Sequence, residues 1–297
     1  MKTKIKKILV PLDFTTTSET AISQASTIAE LIKAEIFLIH VIENDYYQFT
    51  VVPDIITRAP SVQQIETAVS VKMNAVIDNI YLSTGITAHA ITTSGGIDSE
   101  IIEYSKWDRF DLIVMGTHGA SGYKEMFAGS NAQRVVTLSD IPVLTIQANT
   151  DKIRFQNILL PIDNSLHSRE KINIAMEFAD MFGAKIHILG ITDADEKVEL
   201  NKFKIKLESL EKILHAENIR YDTTIEEGDS LALMALNYSE NNNCDLIVIN
   251  TGHESKITGA FLGAFAQQIV NHSKIPVLSI KHSAGDYLIS TPGFGIF

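Results

Sequence analysis

Ile8-Leu-Val-Pro-Leu-Asp13 returns 150 positions later as Ile158-Leu-Leu-Pro-Ile-Asp163, and this recurrence decides how the chain is read. Each copy is a short apolar run, suited to one buried strand, stopped by a carboxylate. Two more segments repeat in the same order. Asp111-Leu-Ile-Val-Met115 reappears as Asp245-Leu-Ile-Val-Ile249, and Ile141-Pro-Val-Leu144 as Ile275-Pro-Val-Leu278, with a spacing of 30 in both copies. Duplication accounts for fixed order and fixed spacing better than chance does. The offset falls from 150 at the front to 134 at the back, so the first copy holds 16 extra residues, placed between Glu43 and Val71. The polar stretch Asn149 to Lys152 marks the boundary, giving a first domain over 1–150 and a second over 151–297 with a tail from about 282.

The length of 297 residues agrees, being two domains of roughly 150 each. With 45% hydrophobic and 21% charged residues, each half can bury its own core. The formal charge of −11 opposes binding to nucleic acid or to an anionic membrane surface. Cys244 is the single cysteine, which excludes an internal disulfide and fits a buried structural thiol in a reducing cytosol. Lys2, Lys4, Lys6 and Lys7 precede the run from Ile8 to Leu12 in faint imitation of a signal peptide, but Asp13 ends it too early. No stretch approaches the roughly 20 apolar residues of a membrane span, so the expectation is a soluble, cytoplasmic protein.

Within the first copy, apolar periodicity predicts strands over Ile8–Leu12, Glu35–Ile42, Ile86–Thr93, Leu112–Met115 and Val143–Ile146. Helices are predicted over Ser18–Lys33, Ser61–Ser83, Asp98–Ser105 and Ser130–Thr137. In the second copy the pattern gives a helix over Ser168–Phe182, a strand over Lys185–Ile191, a charged helix over Asp195–His215 and an extended Asp222–Glu226. Strands alternating with helices predict parallel sheets covered on both faces, hence two α/β sandwiches in tandem.

Ligands of open parallel sheets bind beyond the carboxyl ends of the strands. There the first copy places Gly116-Thr-His-Gly119 and, after nine residues, Gly129-Ser130 at the start of a helix. Glycine lets backbone approach a ligand closely, and free amides at a helix start favour an anion, so phosphate is the natural occupant. The competing reading makes Ser130 an N-cap and the glycines mere turn-formers. Asp13 can accept from ribose hydroxyls or an adenine amino group, or it can cap the helix entry.

This G-x-x-G-x9-G-S spacing, with Pro11-Leu-Asp13 after the first strand, resembles the universal stress protein family. The resemblance covers about residues 5 to 147 and 156 to 281 and implies two tandem open parallel-sheet three-layer sandwiches, Rossmann-like and of universal stress protein type. It implies ATP as ligand, with any Mg²⁺ carried by the nucleotide. Asp13, next to Pro11 and Leu12, would bond the nucleoside, and the Val41 backbone the adenine edge. Gly116, Gly119, Gly129 and Ser130 would cradle the phosphates, with Thr117, His118 and Asn131 beside them; contact and turn-shaping are equal readings for His118. It further implies that the last strands, Val143–Ile146 and Val277–Ile280, pair the two domains, and that two chains can associate as a dimer.

The second copy departs from the motif. Asn250 stands for Gly116, His253 for Gly119 and Ala264 for Ser130, with Gly263 retained and Gly252 a partial compensation. One ATP site per chain is therefore expected. No G-x-G-x-x-G or G-x-x-x-x-G-K-[ST] supports a dinucleotide or Walker-type site. The nine histidines form no H-x-x-x-H pair, and Ser121 in Gly119-Ala-Ser-Gly122 lacks a base, so no metal site and no nucleophile are expected. Lys124 and Arg134 are second-rank candidates for neutralising phosphate. The inserted Tyr46, Tyr47, Phe49, Val51, Val52 and Pro53 read as a lid or as packing, and the tail Pro292-Gly-Phe-Gly-Ile-Phe297 as a docking segment or a mobile end. The leading reading is a stress-response or signalling module that binds ATP. Slow ATP hydrolysis or phosphotransfer and a nucleotide-free scaffold are the alternatives.

Overall fold

A computed structural model of the chain describes residues 5–43, 61–117, 129–147, 150, 154–163, 171–192, 197–228, 230–252 and 262–281. The first half runs β1 (Lys7–Pro11), α1 (Thr16–Ile32), β2 (Glu35–Ile42), α2 (Val62–Thr84), β3 (Ala88–Ser94), α3 (Ile97–Trp107), β4 (Leu112–Gly116), α4 (Ser130–Leu138) and β5 (Val143–Ile146). The second half repeats it as β6 (Asn157–Ile162), α5 (Ile172–Phe182), β7 (Lys185–Thr192), α6 (Lys197–Ala216), β8 (Arg220–Glu227), α7 (Leu231–Asn241), β9 (Leu246–Asn250), α8 (Ala264–His272) and β10 (Val277–Ile280). The fold is α/β, two tandem Rossmann-like units.

Local chemistry sets the element ends. Thr15 caps α1 by accepting from the Ser18 amide, and Ser61 with Gln64 forms a reciprocal capping box on α2. The left-handed Gly85, φ 70°, ends α2. Ile86, expected to open the third strand, instead follows this turn as a buried residue, and the strand begins at Ala88. An apolar side chain tucked under a helix end carries the same signal as one in a strand. The predicted helix starts at Ser168 and Asp195 lie outside the described residues, as do Tyr46 to Pro53, Asn149, Asp151, Lys152 and the tail from residue 282.

The ten strands among the described residues form one sheet in the order β3-β2-β1-β4-β5-β10-β9-β6-β7-β8. Within each half every neighbour is parallel. At the seam β5 and β10 are antiparallel, with Leu144 opposite Leu278, so the two last strands do meet. Alternate strand residues supply two cores on opposite faces. Ile8, Val10, Leu112 and Val114 point to the α1 and α2 side, and Leu9, Ile113 and Met115 to the α3 and α4 side. The chain steps outward from β1 through β2 to β3, then crosses back to β4 on the other flank of β1. That reversal opens a crevice at the carboxyl ends of β1 and β4.

Candidate functional site

Pro11 ends β1 opposite Ile39, and the buried Leu12 adds one more bond, its amide to the Ile39 carbonyl at 2.9 Å. The chain then leaves the sheet at Asp13. Asp13 Oδ1 accepts from the Thr15 amide at 3.0 Å and the Thr15 hydroxyl at 2.6 Å, while Thr15 caps α1. Asp13 is thus the anchor of the cap rather than the cap itself. The Asp13 side chain is exposed, and both of these bonds fall on Oδ1.

Val41 lies two residues past Ile39, the last partner of β1. Backbone groups alternate sides along a parallel strand. The Ile42 carbonyl accepts from Gly95 on the β3 side and the Ile39 carbonyl from Leu12 on the β1 side, so the N–H and C=O of Val41 point where β1 has already turned away.

Across the crevice, β4 ends at Gly116, in register with Ile146. A Cβ on Gly116 would lie 2.5 Å from Thr17 Cγ2 and 3.1 Å from the Thr17 carbonyl, so the glycine lets the first turn of α1 sit on the strand end. The buried Thr117 donates its amide to the Ile146 carbonyl at 2.9 Å, and its own carbonyl accepts from the Gly129 amide. This pair brings the beginning of α4 beside the end of β4. Gly129 is the N-cap and offers no side-chain cap, leaving Ser130 and Asn131 at an open helix start with no acidic residue in the first turn. That end suits an anion. His118 and Gly119 lie outside the described residues, as do Ser121 and Lys124.

Arg134, the second-rank candidate for neutralising phosphate, is paired within the chain. Its Nε lies 2.7 Å from Asp98 Oδ2, tying α4 to the first turn of α3. Sequence reasoning also missed Phe14, His40 and Lys72. Phe14 adopts a left-handed φ of 61°, its ring 4.9 Å from that of His40, and Lys72 Nζ stands 5.2 Å above it. His40 Nδ1 donates to the Leu12 carbonyl at 2.7 Å and so fixes the turn carrying Asp13. The polar His40 among apolar residues of β2 was the available signal.

The second half keeps the backbone frame: Thr251 donates to Ile280 at 2.9 Å and accepts from Gly263 at 3.2 Å. Its strand end differs. Gly190 replaces His40, and a Cβ there would lie 2.7 Å from Leu207 and 3.1 Å from the Phe203 ring, so α6 presses on β7. Lys206, from α6, donates to the Asp163 carbonyl at 2.5 Å. Phe203 and Leu207 of α6 therefore pack against β7 at the position that His40 takes in the first half. His253 lies outside the described residues. Among the described residues no group of three or more His, Cys, Asp or Glu side chains could hold a metal ion, and no helix is long and apolar enough to cross a membrane.

A family model described as the universal stress protein family matches residues 4–147 and again 154–281. Universal stress protein MJ0577 of Methanocaldococcus jannaschii is 28% identical over 158 residues, covering 50% of this chain and 98% of its own length. Universal stress protein Slr1230 of Synechocystis is 22% identical over 210 residues, 70% of each chain. A solved universal stress protein from Archaeoglobus fulgidus shares the fold at a TM-score of 0.76 and 22% identity, covering 95% of this chain and 100% of its own.

Proposed function

Because the chain belongs to the universal stress protein family and carries its domain twice, we propose that it binds one adenine nucleotide, ATP, in a first domain spanning 1–150. The domain spanning 151–297 holds none. The observation that carries this reading is the joint placement, around one crevice, of Asp13, the β1-facing edge of Val41 and the open start of α4. Nucleoside and phosphates have different needs, and here they are met a strand apart. The Asp13 carboxylate accepts from ribose hydroxyls, and the Val41 edge pairs with adenine. The amides after Gly129, together with the Ser130 hydroxyl, take phosphate oxygens. Mg²⁺ arrives on the nucleotide, whose phosphates supply its ligands.

The ligand is read as a structural or signalling element; among the described residues no side chain is placed beside the phosphate end as a general base. Release of phosphate above a protein-free control is the result that favours the enzyme alternative. The scaffold alternative gains from the second half, where Phe203 and Leu207 pack against Gly190 in place of His40.

The test is to purify the protein without added nucleotide, denature it, and identify and count the released small molecule by mass spectrometry. One adenine nucleotide per chain is expected; two would refute the single-site reading, and an empty protein that ignores added ATP with Mg²⁺ would refute nucleotide binding. Gly129→Val should abolish ATP binding without unfolding the protein, because the φ of −54° and ψ of 147° are open to a residue with a Cβ and the loss is confined to one N-cap.

A further inference from the structure

The Asp98–Arg134 pair has no counterpart in the second half. At the matching positions, 134 residues on, stand Ala232 and Gln268. Helix packing does not explain the difference, because α7 lies on α8 as α3 lies on α4. What the second half lacks as well is the ligand motif, with Asn250 for Gly116 and Ala264 for Ser130. Within one chain, the ion pair is present where the motif is intact and absent where it is degenerate.

The geometry gives the pair a use. Arg134 lies one turn after Ser130 and on the same face of α4, and helical side chains lean back toward the N-terminus. Asp98 is buried, its side chain only 10% exposed, and it holds the Nε edge of a guanidinium that is 64% exposed. A guanidinium gripped on one edge keeps donors on the other in fixed orientation, the arrangement suited to two oxygens of a phosphate. Asp98 also has no role as a helix cap that the sequence would otherwise require, since Gly96 precedes α3 as its N-cap.

We propose that Arg134, oriented by Asp98, is the charge-reading residue of the first-half site, binding the outer phosphates and setting its preference for triphosphate over monophosphate and nucleoside. The proposal rests on the nucleotide reading above. Arg134 touches the ligand; Asp98 is a positioning residue that acts through it.

The experiment measures affinities for ATP, ADP, AMP and adenosine, with Mg²⁺, by calorimetry on the full chain and on Arg134→Gln and Asp98→Ala, which install the second half's own residues. Arg134→Gln should weaken ATP by about 10- to 100-fold, the usual worth of a charge-assisted contact, and leave adenosine within about twofold. Asp98→Ala should weaken ATP less and spare adenosine equally. Arg134→Lys should recover part of the loss, because charge returns without the fork. If ATP and adenosine weaken together, or neither weakens while the melting temperature falls, Arg134 is only a tie between α3 and α4 and the proposal is wrong. A wild-type protein that binds none of the four overturns the nucleotide reading itself, an outcome distinct from a binder whose phosphate preference ignores Arg134.

Discussion

His187 occupies in β7 the place that Phe37 holds in β2, and the exchange changes what the position does. Phe37 stacks on His89 at 4.6 Å and meets Phe110 edge-on at 5.0 Å, an aromatic cluster with Lys7 above it. His187 instead lies between Asn157 Oδ1, 3.1 Å from Nε2, and Asp222 Oδ1, 2.9 Å from Nδ1, with Lys185 paired to the same carboxylate and Tyr238 edge-on. Burial holds the imidazole below its ordinary range; Asp222 pulls it up and Lys185 pushes it down. The unfolded chain then takes up its proton first as pH falls. Stability from the neutral ring is fully present above about 6.5 and is lost as pH drops from there toward the folded value. His187→Phe, copying the first half, should flatten this acid limb, so that its melting temperature falls less than the wild type's between about pH 7.5 and 5.5. An unchanged slope would assign the proton uptake to other groups. Cys244 behaves differently: burial, with Asp245 and Asp222 nearby, pushes its thiol up to about 12, which makes it an inert packing group at neutral pH.

Gly116 shows how an element can demand a residue for a reason other than the one its motif suggests. The sequence reads it as part of a phosphate cradle, and the approach of Thr17 adds a packing role at the junction of α1 and β4. Gly116→Ala should therefore cost about 1–3 kcal/mol, the range for overpacking a filled site, visible in chemical denaturation without any nucleotide. Gly263, the N-cap of α8, has nothing within 4 Å of an added Cβ, and Gly263→Ala should cost only a fraction of that. Equal costs would mean that α1 yields to the new methyl. Elements were legible where apolar runs have polar ends: β2 and β5 fall on the residues the pattern marks. The candidate site was legible as far as glycine, serine and the carboxylate at a strand end announce it. Its supports were not, because Asp98 and Arg134 stand 36 residues apart and Phe14 enters a left-handed turn with no residue that favours one. Such partners are chosen by the fold and carry no local periodicity.

At the scale of the molecule, the duplication produces a seam with approximate twofold symmetry, since Leu144 and Leu278 are matched repeat positions and also direct partners. The charges around it are not symmetric. Asp140 pairs with Lys106 at 2.9 Å in its own half and with Lys281 of the other half at 2.8 Å, contacts that hold its carboxyl below the usual range. The matching positions carry Lys274 and Glu240, with the signs exchanged, and Gln147 where Lys281 would be. Exposed pairs of this kind contribute little each, so the seam depends mainly on buried strand residues. Leu144 and Leu278 belong to one core that continues across it, and the Thr145 hydroxyl donates to the Val277 carbonyl at 3.2 Å. A continuous sheet over a continuous core should unfold as one unit. Hydrogen–deuterium exchange read separately over β1–β5 and over β6–β10 should then give one denaturant midpoint, the same as that of far-UV circular dichroism. Leu278→Asp places a charge in that core with no partner and should separate the halves, splitting the transition so that the two halves exchange with different midpoints. It should also expose the edge of β5, which β10 covers, and so promote pairing of chains through that edge, read as a concentration-dependent mass in light scattering. Two transitions in the wild type would show that the halves are joined by their covalent connection rather than by the shared core, and a single one in Leu278→Asp would show that their coupling does not depend on Leu278.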